Sequence, residues 1–234
     1  AASSRAAAAP PAVPCVPPSE SAARVFAPSH KSFHRRWTSD AAKERGLVIH
    51  ACFEQIEWLD APLTDERFEE IKSAVRAQLF SGKPLPKEFD VYLKGFRRLC
   101  GEATVQKFLS RAYYAENYPG LEPRVYRERP YLAATHGRGR KKGIIDRLVL
   151  LCDGDRIAAA DIIDYKTDIE VHNGADPALY VSRAGYDRQL SEYRRNVEKM
   201  YKLSDASIAA RLFFFGCDTG GKTYTLPPFE IARP

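Results

Sequence analysis

Paired cysteines, long apolar runs and targeting signals are all missing from this 234-residue sequence. The five cysteines, at positions 15, 52, 100, 152 and 217, lie far apart and form no CxxC pair. This spacing argues against a disulfide framework and a cysteine-based zinc site, and it predicts reduced thiols in a cytoplasmic protein. No apolar run approaches membrane-spanning length and no segment has a secretory signal pattern, so no membrane partner is expected.

The charge balance is only mildly basic. Lys and Arg number 36 against 30 acidic residues, which gives a net charge of +6 and an isoelectric point near 9.0. Such an excess permits a nucleic-acid partner without requiring one. A hydrophobic content of 44% is enough for one substantial core and an accessory lobe.

Large apolar side chains are scarce in residues 1–30, which hold six of the sixteen prolines among Ala and Ser. Such a segment cannot bury enough surface to order itself, so we predict a disordered linker over 1–30 and one folded domain over 31–234. The linker, and an alanine instead of methionine at position 1, predict that this chain is a piece of a longer polypeptide.

Amphipathic patterns predict helices over residues 40–59, 64–80 and about 87–115. The last two form a predicted helical lobe at about 60–118. His50 lies beside the apolar stripe of the first helix. A histidine in that position is either a packed residue at the edge of the core or a metal ligand, and the spacing alone leaves both open.

The central feature is a predicted hairpin, in which the β-rich runs 144–152 and 157–165 flank an Asp-Gly turn. Asp146 lies on the first strand, and Asp164 and Lys166 share one face of the second because side chains alternate along a strand. Carboxylates within apolar strands indicate a bound ligand, and a hard cation such as Mg²⁺ suits them. The alternative is an Asp–Lys ion pair on a solvated sheet face.

A basic segment with two glycines, residues 136–142, lies between this hairpin and a preceding predicted strand over 123–133 that contains Glu128. It is either a solvated loop or a loop that contacts a nucleic-acid backbone without reading its sequence. Its candidate DNA-binding residues are Arg138, Arg140, Lys141 and Lys142.

A further helix is predicted over 184–202, with Tyr186, Gln189 and Tyr193 on one face. This face is either exposed or lines a polar site, where the amide and the hydroxyl can both form hydrogen bonds. Strands are then predicted over 207–216 and 222–226.

Residues 216–223 (GCDTGGKT) match the phosphate-loop pattern GxxxxGK[ST]. That loop functions only when it opens a helix whose N-terminus holds the phosphates. The following residues, YTLPP, do not predict a helix. We therefore interpret this segment as a hairpin turn, and a nucleotide-binding protein as the weaker alternative.

In combination these features resemble the RecB-type nuclease domain of the PD-(D/E)xK superfamily, which is found at the C-terminus of RecB and AddA helicase-nucleases. The resemblance covers roughly residue 39 to the C-terminus, and each motif is weak alone whereas the ordered set is specific. The matching segments are GxxxH at 46–50, the strand glutamate Glu128, GxxDR[LV] at 143–148, DYK[ST] at 164–167 and YxxQxxxY at 186–193.

The resemblance implies an α/β fold with a restriction-endonuclease-like core, in which a central mixed β-sheet is flanked by helices and carries a helical insertion. It implies a metal-dependent deoxyribonuclease, more often an exonuclease than an endonuclease, that uses Mg²⁺ or Mn²⁺. The implied metal ligands are His50, Asp146, Asp164 and the Tyr165 carbonyl, and the implied catalytic residues are Lys166, Asp146, Asp164, Gln189 and Tyr193. Tyr186 joins the DNA-contacting set.

The same resemblance implies partners and excludes one cofactor. DNA is the expected substrate, with a helicase motor upstream in the same polypeptide. An iron–sulfur branch of the family uses three clustered cysteines near the C-terminus, but only Cys217 lies there, so no cluster is expected. The rival interpretation is a catalytically inactive DNA-binding or scaffolding domain of the same fold.

Overall fold

The structure, a computed structural model, describes residues 40–134, 140–167, 177–217, 223–225 and 229–230. The linker predicted for 1–30 and the basic residue Arg138 lie outside these ranges. The helices are α1 (Asp40–Glu54), α2 (Asp65–Phe80), α3 (Phe89–Gly101), α4 (Ala103–Leu109), α5 (Arg111–Asn117), α6 (Pro177–Ala184) and α7 (Tyr186–Tyr201), with a 3₁₀ turn at Asp205–Ser207. The strands are β1 (Glu122–Ala134), β2 (Arg140–Asp153), β3 (Arg156–Lys166), β4 (Ile208–Cys217), β5 (Thr223–Thr225) and β6 (Phe229–Glu230).

Four long strands form a mixed sheet in the order β1-β2-β3-β4. The first three are antiparallel neighbours, and β4 returns parallel to β3 after α6 and α7. The predicted Asp-Gly turn joins β2 to β3: Asp153 pairs with Arg156, and Gly154 has the positive φ, 57°, that such a turn requires. The expected restriction-endonuclease-like α/β fold is confirmed.

Both faces of the sheet are covered. Ile163 and Tyr165 of β3 pack with side chains of α1 to α4, whereas Ile162 packs with side chains of α6 and α7. Because neighbouring residues of β3 point to opposite faces, this central strand is buried along almost its whole length. Tyr114 of α5 covers the outer end of β2.

Several helix boundaries differ from the prediction. The first helix ends at Glu54 and not at residue 59, because the backbone tightens there into bonds from Gln55 N to Cys52 O and from Ile56 N to Phe53 O. The helix expected over 87–115 is three helices, and Ser110 caps the last of them by accepting from Tyr113 N at 3.3 Å.

The region expected to be a polar loop at 168–180 also contains the start of α6, and the helix expected from 184 is broken at Gly185, whose φ is 76°. Helices α2 to α5 lie within the predicted lobe at 60–118, and α2, α3 and α4 share one core with the sheet. In the described ranges, every helix is too short or too polar to cross a membrane.

The phosphate-loop-like segment ends in a strand. Thr223, its last residue, pairs with Cys217 in an antiparallel ladder, so β5 and not a helix follows. Residues 218–222 lie outside the described ranges. The pairing matches the predicted hairpin turn and removes the helix N-terminus that phosphate binding would need.

Candidate metal centre

Three predicted elements converge at one end of the sheet. His50 comes from α1, Glu128 from β1 and Asp146 from β2, and one ligand atom from each lies within 4.8 Å of the other two. The side chains of His50 and Asp146 are 19% and 12% exposed, so water reaches the group although it is largely enclosed. Within the described part of the chain, this is the cluster with the composition and spacing of a metal site.

A kink in the β1–β2 ladder brings the two carboxylates to this point. The ladder omits one pair, Glu128 with Asp146, from an otherwise continuous register. Glu128 has a φ of 48°, in the left-handed region that residues other than glycine rarely adopt. Ile145 and Leu148 should face opposite sides of the sheet by alternation, yet both lie in the core beside α7. Strand β2 therefore changes face at Asp146, and backbone strain is concentrated where the ligands meet.

Asp146 is held by the end of β3 as well as by α1. Its Oδ2 accepts a hydrogen bond from Tyr165 N at 2.7 Å and lies 3.5 Å from His50 Nδ1. Burial disfavours the charged forms of both groups, but their mutual attraction outweighs it: the pKa of His50 is raised and the pKa of Asp146 is lowered. The Asp146 carboxylate is therefore ionised and available as a ligand.

Glu128 behaves in the opposite way. Burial, reinforced by the negative charge of Asp146, raises its pKa to about 8. Two carboxylates that converge in a partly enclosed site repel each other unless a proton or a cation neutralises them. Carboxylate oxygens suit Mg²⁺ and Mn²⁺, and the imidazole suits Mn²⁺. The donor set thus fits a divalent cation.

Asp164 and Lys166 form a second group beside the first. Lys166 Nζ contacts Asp164 Oδ2 as an ion pair, and the Asp164 side chain is 2% exposed. Burial raises the pKa of Asp164 to about 6 although the lysine acts in the opposite direction. Its buried Oδ2 contacts the lysine ammonium, and its Oδ1 faces the polar side chains of α7.

The polar face predicted on the last long helix is real and is directed at Asp164. Tyr193 OH and Gln189 Nε2 lie 3.3 Å and 3.4 Å from Asp164 Oδ1, and the amide donates to the hydroxyl at 2.7 Å. Lys166 Nζ lies 4.6 Å from the centre of the Tyr186 ring. All three motif residues of α7 therefore hold the Asp164–Lys166 pair, and Tyr186 lies beneath the lysine.

The remaining predicted site residues are Tyr165 and the four basic residues. The ring of Tyr165 points into the core, stacked on Phe53 at 4.8 Å, while its backbone binds Asp146. Lys142 is exposed on β2, and Arg140 and Lys141 precede it in that strand. Arg138 lies outside the described residues.

Two contributions to this site were not assigned from the sequence. Glu128 was matched to a motif but not named as a ligand, although a hairpin centred on residue 137 places it opposite Asp146. Arg147 is fully buried and donates to Ile56 O at 3.0 Å and Glu57 O at 2.6 Å. It thereby ties the strand that carries Asp146 to the segment that follows the helix carrying His50, a role that no sequence spacing signals.

Comparison with known proteins gives one match. The sequence pattern described as the PD-(D/E)XK nuclease superfamily matches residues 26–227. No curated protein and no solved structure matches the chain. The matched range contains the candidate site residues from His50 in α1 to Tyr193 in α7.

Proposed function

The chain belongs to the PD-(D/E)XK nuclease superfamily, and on that premise we propose that it is an active, metal-dependent deoxyribonuclease that hydrolyses phosphodiester bonds. The observation that carries the proposal is the convergence of His50, Glu128 and Asp146 beside an intact Asp164–Lys166 pair. An inactive scaffold has no need of a strained strand that holds two mutually repulsive carboxylates together.

His50, Glu128 and Asp146 would hold the divalent ion, with Asp164 completing the site on its Lys166 side. Such an ion supplies positive charge against the phosphate oxygens and lowers the pKa of a water molecule. The set differs from the implied ligands in adding Glu128. Asp164 keeps a place in it because its buried carboxylate is paired with Lys166 and interacts electrostatically with Asp146 and His50.

Lys166 is the residue proposed to act on the attacking water. Its side chain is 13% exposed, and its ammonium lies between Asp164 and the Tyr186 ring. A fixed ammonium at this position orients a water and offsets charge on the phosphate, which a carboxylate cannot do. Gln189 and Tyr193 act through Asp164, which they contact, and are positioning residues.

The biological setting is also a proposal. The resemblance to RecB-type and AddA-type domains supports a nuclease module of a cytoplasmic bacterial DNA-repair helicase-nuclease, with a motor upstream and exonuclease activity favoured over endonuclease activity. The alternative is a catalytically inactive DNA-binding or scaffolding domain. It would bind DNA but leave it uncut under every metal condition.

The test compares wild type with Lys166→Ala and with Lys199→Ala, which replaces an exposed lysine of α7 and serves as the matched control. Linear single-stranded, linear double-stranded and closed circular DNA are incubated with Mg²⁺, Mn²⁺ or EDTA. We expect wild type and the control to degrade DNA only when metal is present, and we expect the cleavage rate of Lys166→Ala to fall at least a hundredfold. Cleavage of linear but not circular DNA would support an exonuclease. Full activity of Lys166→Ala would overturn the assignment.

A further inference from the structure

The β1–β2 hairpin continues well past the metal centre. Six register pairs, from Arg129↔Ile145 to Ala134↔Arg140, follow the omitted Glu128–Asp146 pair. The ladder between β2 and β3, in contrast, ends at Arg147↔Ile163. Among the described residues, no third strand pairs with this extension. We call residues 129–134 and 140–145 the β-arm.

The charge of the β-arm has one sign. Its two segments, RPYLAA and RKKGII, contain Arg129, Arg140, Lys141 and Lys142 and no acidic residue. The chain as a whole is nearly balanced, with 36 basic and 30 acidic residues. The β-arm begins next to the carboxylates of the metal centre. A polyanion that is bound at the centre and extends away from it would therefore meet the positive charges of the β-arm.

The two faces of the β-arm differ. Tyr131 and Ile145 are buried in the core beside α7, whereas Leu132 is 53% exposed and its register partner Lys142 is exposed as well. By strand alternation the exposed face, which includes positions 140 and 142, lies on the same side of the sheet as α1, which carries His50, whereas positions 129 and 141 alternate to the side of α7. A ligand at the metal centre can therefore continue along this face.

The base of the β-arm is held firmly. The Tyr131 ring lies across Gly143, its register partner, so closely that a Cβ on the glycine would overlap it. The Tyr131 hydroxyl donates to Glu192 Oε1 at 2.9 Å, and the ring meets Tyr193 edge to face at 5.6 Å. Because Tyr193 also contacts Asp164, the β-arm and the catalytic pair share one anchor.

From these observations we infer that the β-arm binds the phosphate backbone of duplex DNA adjoining the cleavage site. The inference deepens the proposed function, since it names the form of the substrate. Single strands are usually bound by stacking their bases on aromatic side chains, but the one aromatic residue of the β-arm, Tyr131, is buried. A two-stranded ribbon carrying lysine and arginine instead fits alongside or within a duplex groove.

The register sets the reach of this contact. Six residues at about 3.3 Å each extend the β-arm roughly 20 Å beyond the Glu128–Asp146 position. With a rise of about 3.4 Å per base pair, this corresponds to about six base pairs of duplex. The contact should therefore depend on DNA that extends at least this far from the scissile phosphate.

The binding test needs no cleavage. Arg140→Ala/Lys141→Ala/Lys142→Ala is compared with Lys83→Ala/Lys87→Ala/Lys94→Ala, a control that removes the same charge from exposed positions outside the β-arm. Fluorescence anisotropy of a labelled 30-base-pair duplex and a 30-nucleotide single strand is recorded in EDTA across a KCl series. We expect the β-arm variant to lose at least tenfold in duplex affinity, with the slope of log K against log[KCl] reduced by about 2, roughly one for each basic position on the exposed face. The control should change affinity less than twofold.

Two outcomes of this test would overturn the inference: equal losses in the two variants, or a loss confined to single-stranded DNA. Urea denaturation checks that both variants remain folded, and a loss of duplex affinity that goes with a loss of folded protein would also overturn the inference. If no protein cleaves any substrate yet the duplex-binding difference persists, the proposed nuclease function fails and the β-arm inference stands.

Discussion

Gly143 leaves room for the Tyr131 ring near the candidate metal centre, and replacing it gives a sharp test of how the β-arm is anchored. A Cβ at this position would overlap the far end of the Tyr131 side chain. The backbone φ of Gly143 is not in the left-handed region, so alanine suits the backbone and the conflict is with the ring alone. We therefore expect Gly143→Ala to displace Tyr131 without misfolding the strand.

The cost follows from what Tyr131 would lose. Its hydrogen bond to the Glu192 carboxylate contributes about 1.5–3 kcal/mol, and its edge-to-face contact with Tyr193 about 0.5–1.5 kcal/mol. Reduced freedom of the unfolded chain offsets about 0.4–1 kcal/mol. The expected net destabilisation is about 1–4 kcal/mol.

Urea denaturation of a double-mutant cycle measures this coupling. Tyr131→Ala alone should cost about 3–5 kcal/mol, and adding Gly143→Ala to it should cost nothing further, because the ring is gone. Gly101→Ala is the matched control: a Cβ there meets nothing within 4 Å, so we expect no loss of stability. If the costs of Gly143→Ala and Tyr131→Ala simply add to within about 0.5 kcal/mol, the proposed packing is wrong.

Three further predictions concern buried charge. Because the pKa of Glu128 is raised to about 8, the metal-free protein holds a proton at pH 7 that Mn²⁺ must displace. Calorimetry in buffers of different ionisation enthalpy should show that Mn²⁺ binding to Glu128→Gln releases about one proton fewer than binding to wild type. The Mn²⁺ affinity of wild type should rise with pH up to about 8. Arg147→Met removes two charge-assisted hydrogen bonds to backbone carbonyls and should cost about 3–6 kcal/mol in urea denaturation, against less than about 0.5 kcal/mol for the exposed Arg195→Met. Arg211→Met leaves the fully buried Asp161 without its ion partner and should lower the free energy of unfolding by about 3–5 kcal/mol. Adding Asp161→Asn to Arg211→Met should restore part of this loss, and no recovery would contradict the pairing.

The parts of the fold that follow strict local rules were predictable. The Asp-Gly turn sets the hairpin, and alternation along β3 predicts that Asp164 and Tyr165 face opposite sides, which in the structure are the side of α7 and the opposite core. The helical spacing of Gln189 and Tyr193 likewise predicted their shared face. These features depend on one turn type or one periodicity, which a sequence records directly.

The parts that depend on a departure from regular geometry were not predictable. The kink at Glu128 breaks the alternation that sequence reasoning assumes, so a strand glutamate became a candidate ligand. Arg147 has no period or motif that signals two bonds to carbonyls more than 80 residues away. Helix ends were misjudged where a local contact, such as the Ser110 cap, overrides a continuing amphipathic pattern.

The central claim is that His50, Glu128 and Asp146 bind a divalent cation. Its most direct test is a titration with Mn²⁺ at pH 8, followed by the electron paramagnetic resonance signal of the free ion. It compares wild type with Asp146→Asn and with Asp155→Asn, a control that changes an exposed carboxylate in the β2–β3 turn. Saturable binding by wild type and the control, weakened at least tenfold in Asp146→Asn, is the predicted result. Equal binding by all three proteins, or none by wild type, would contradict the account.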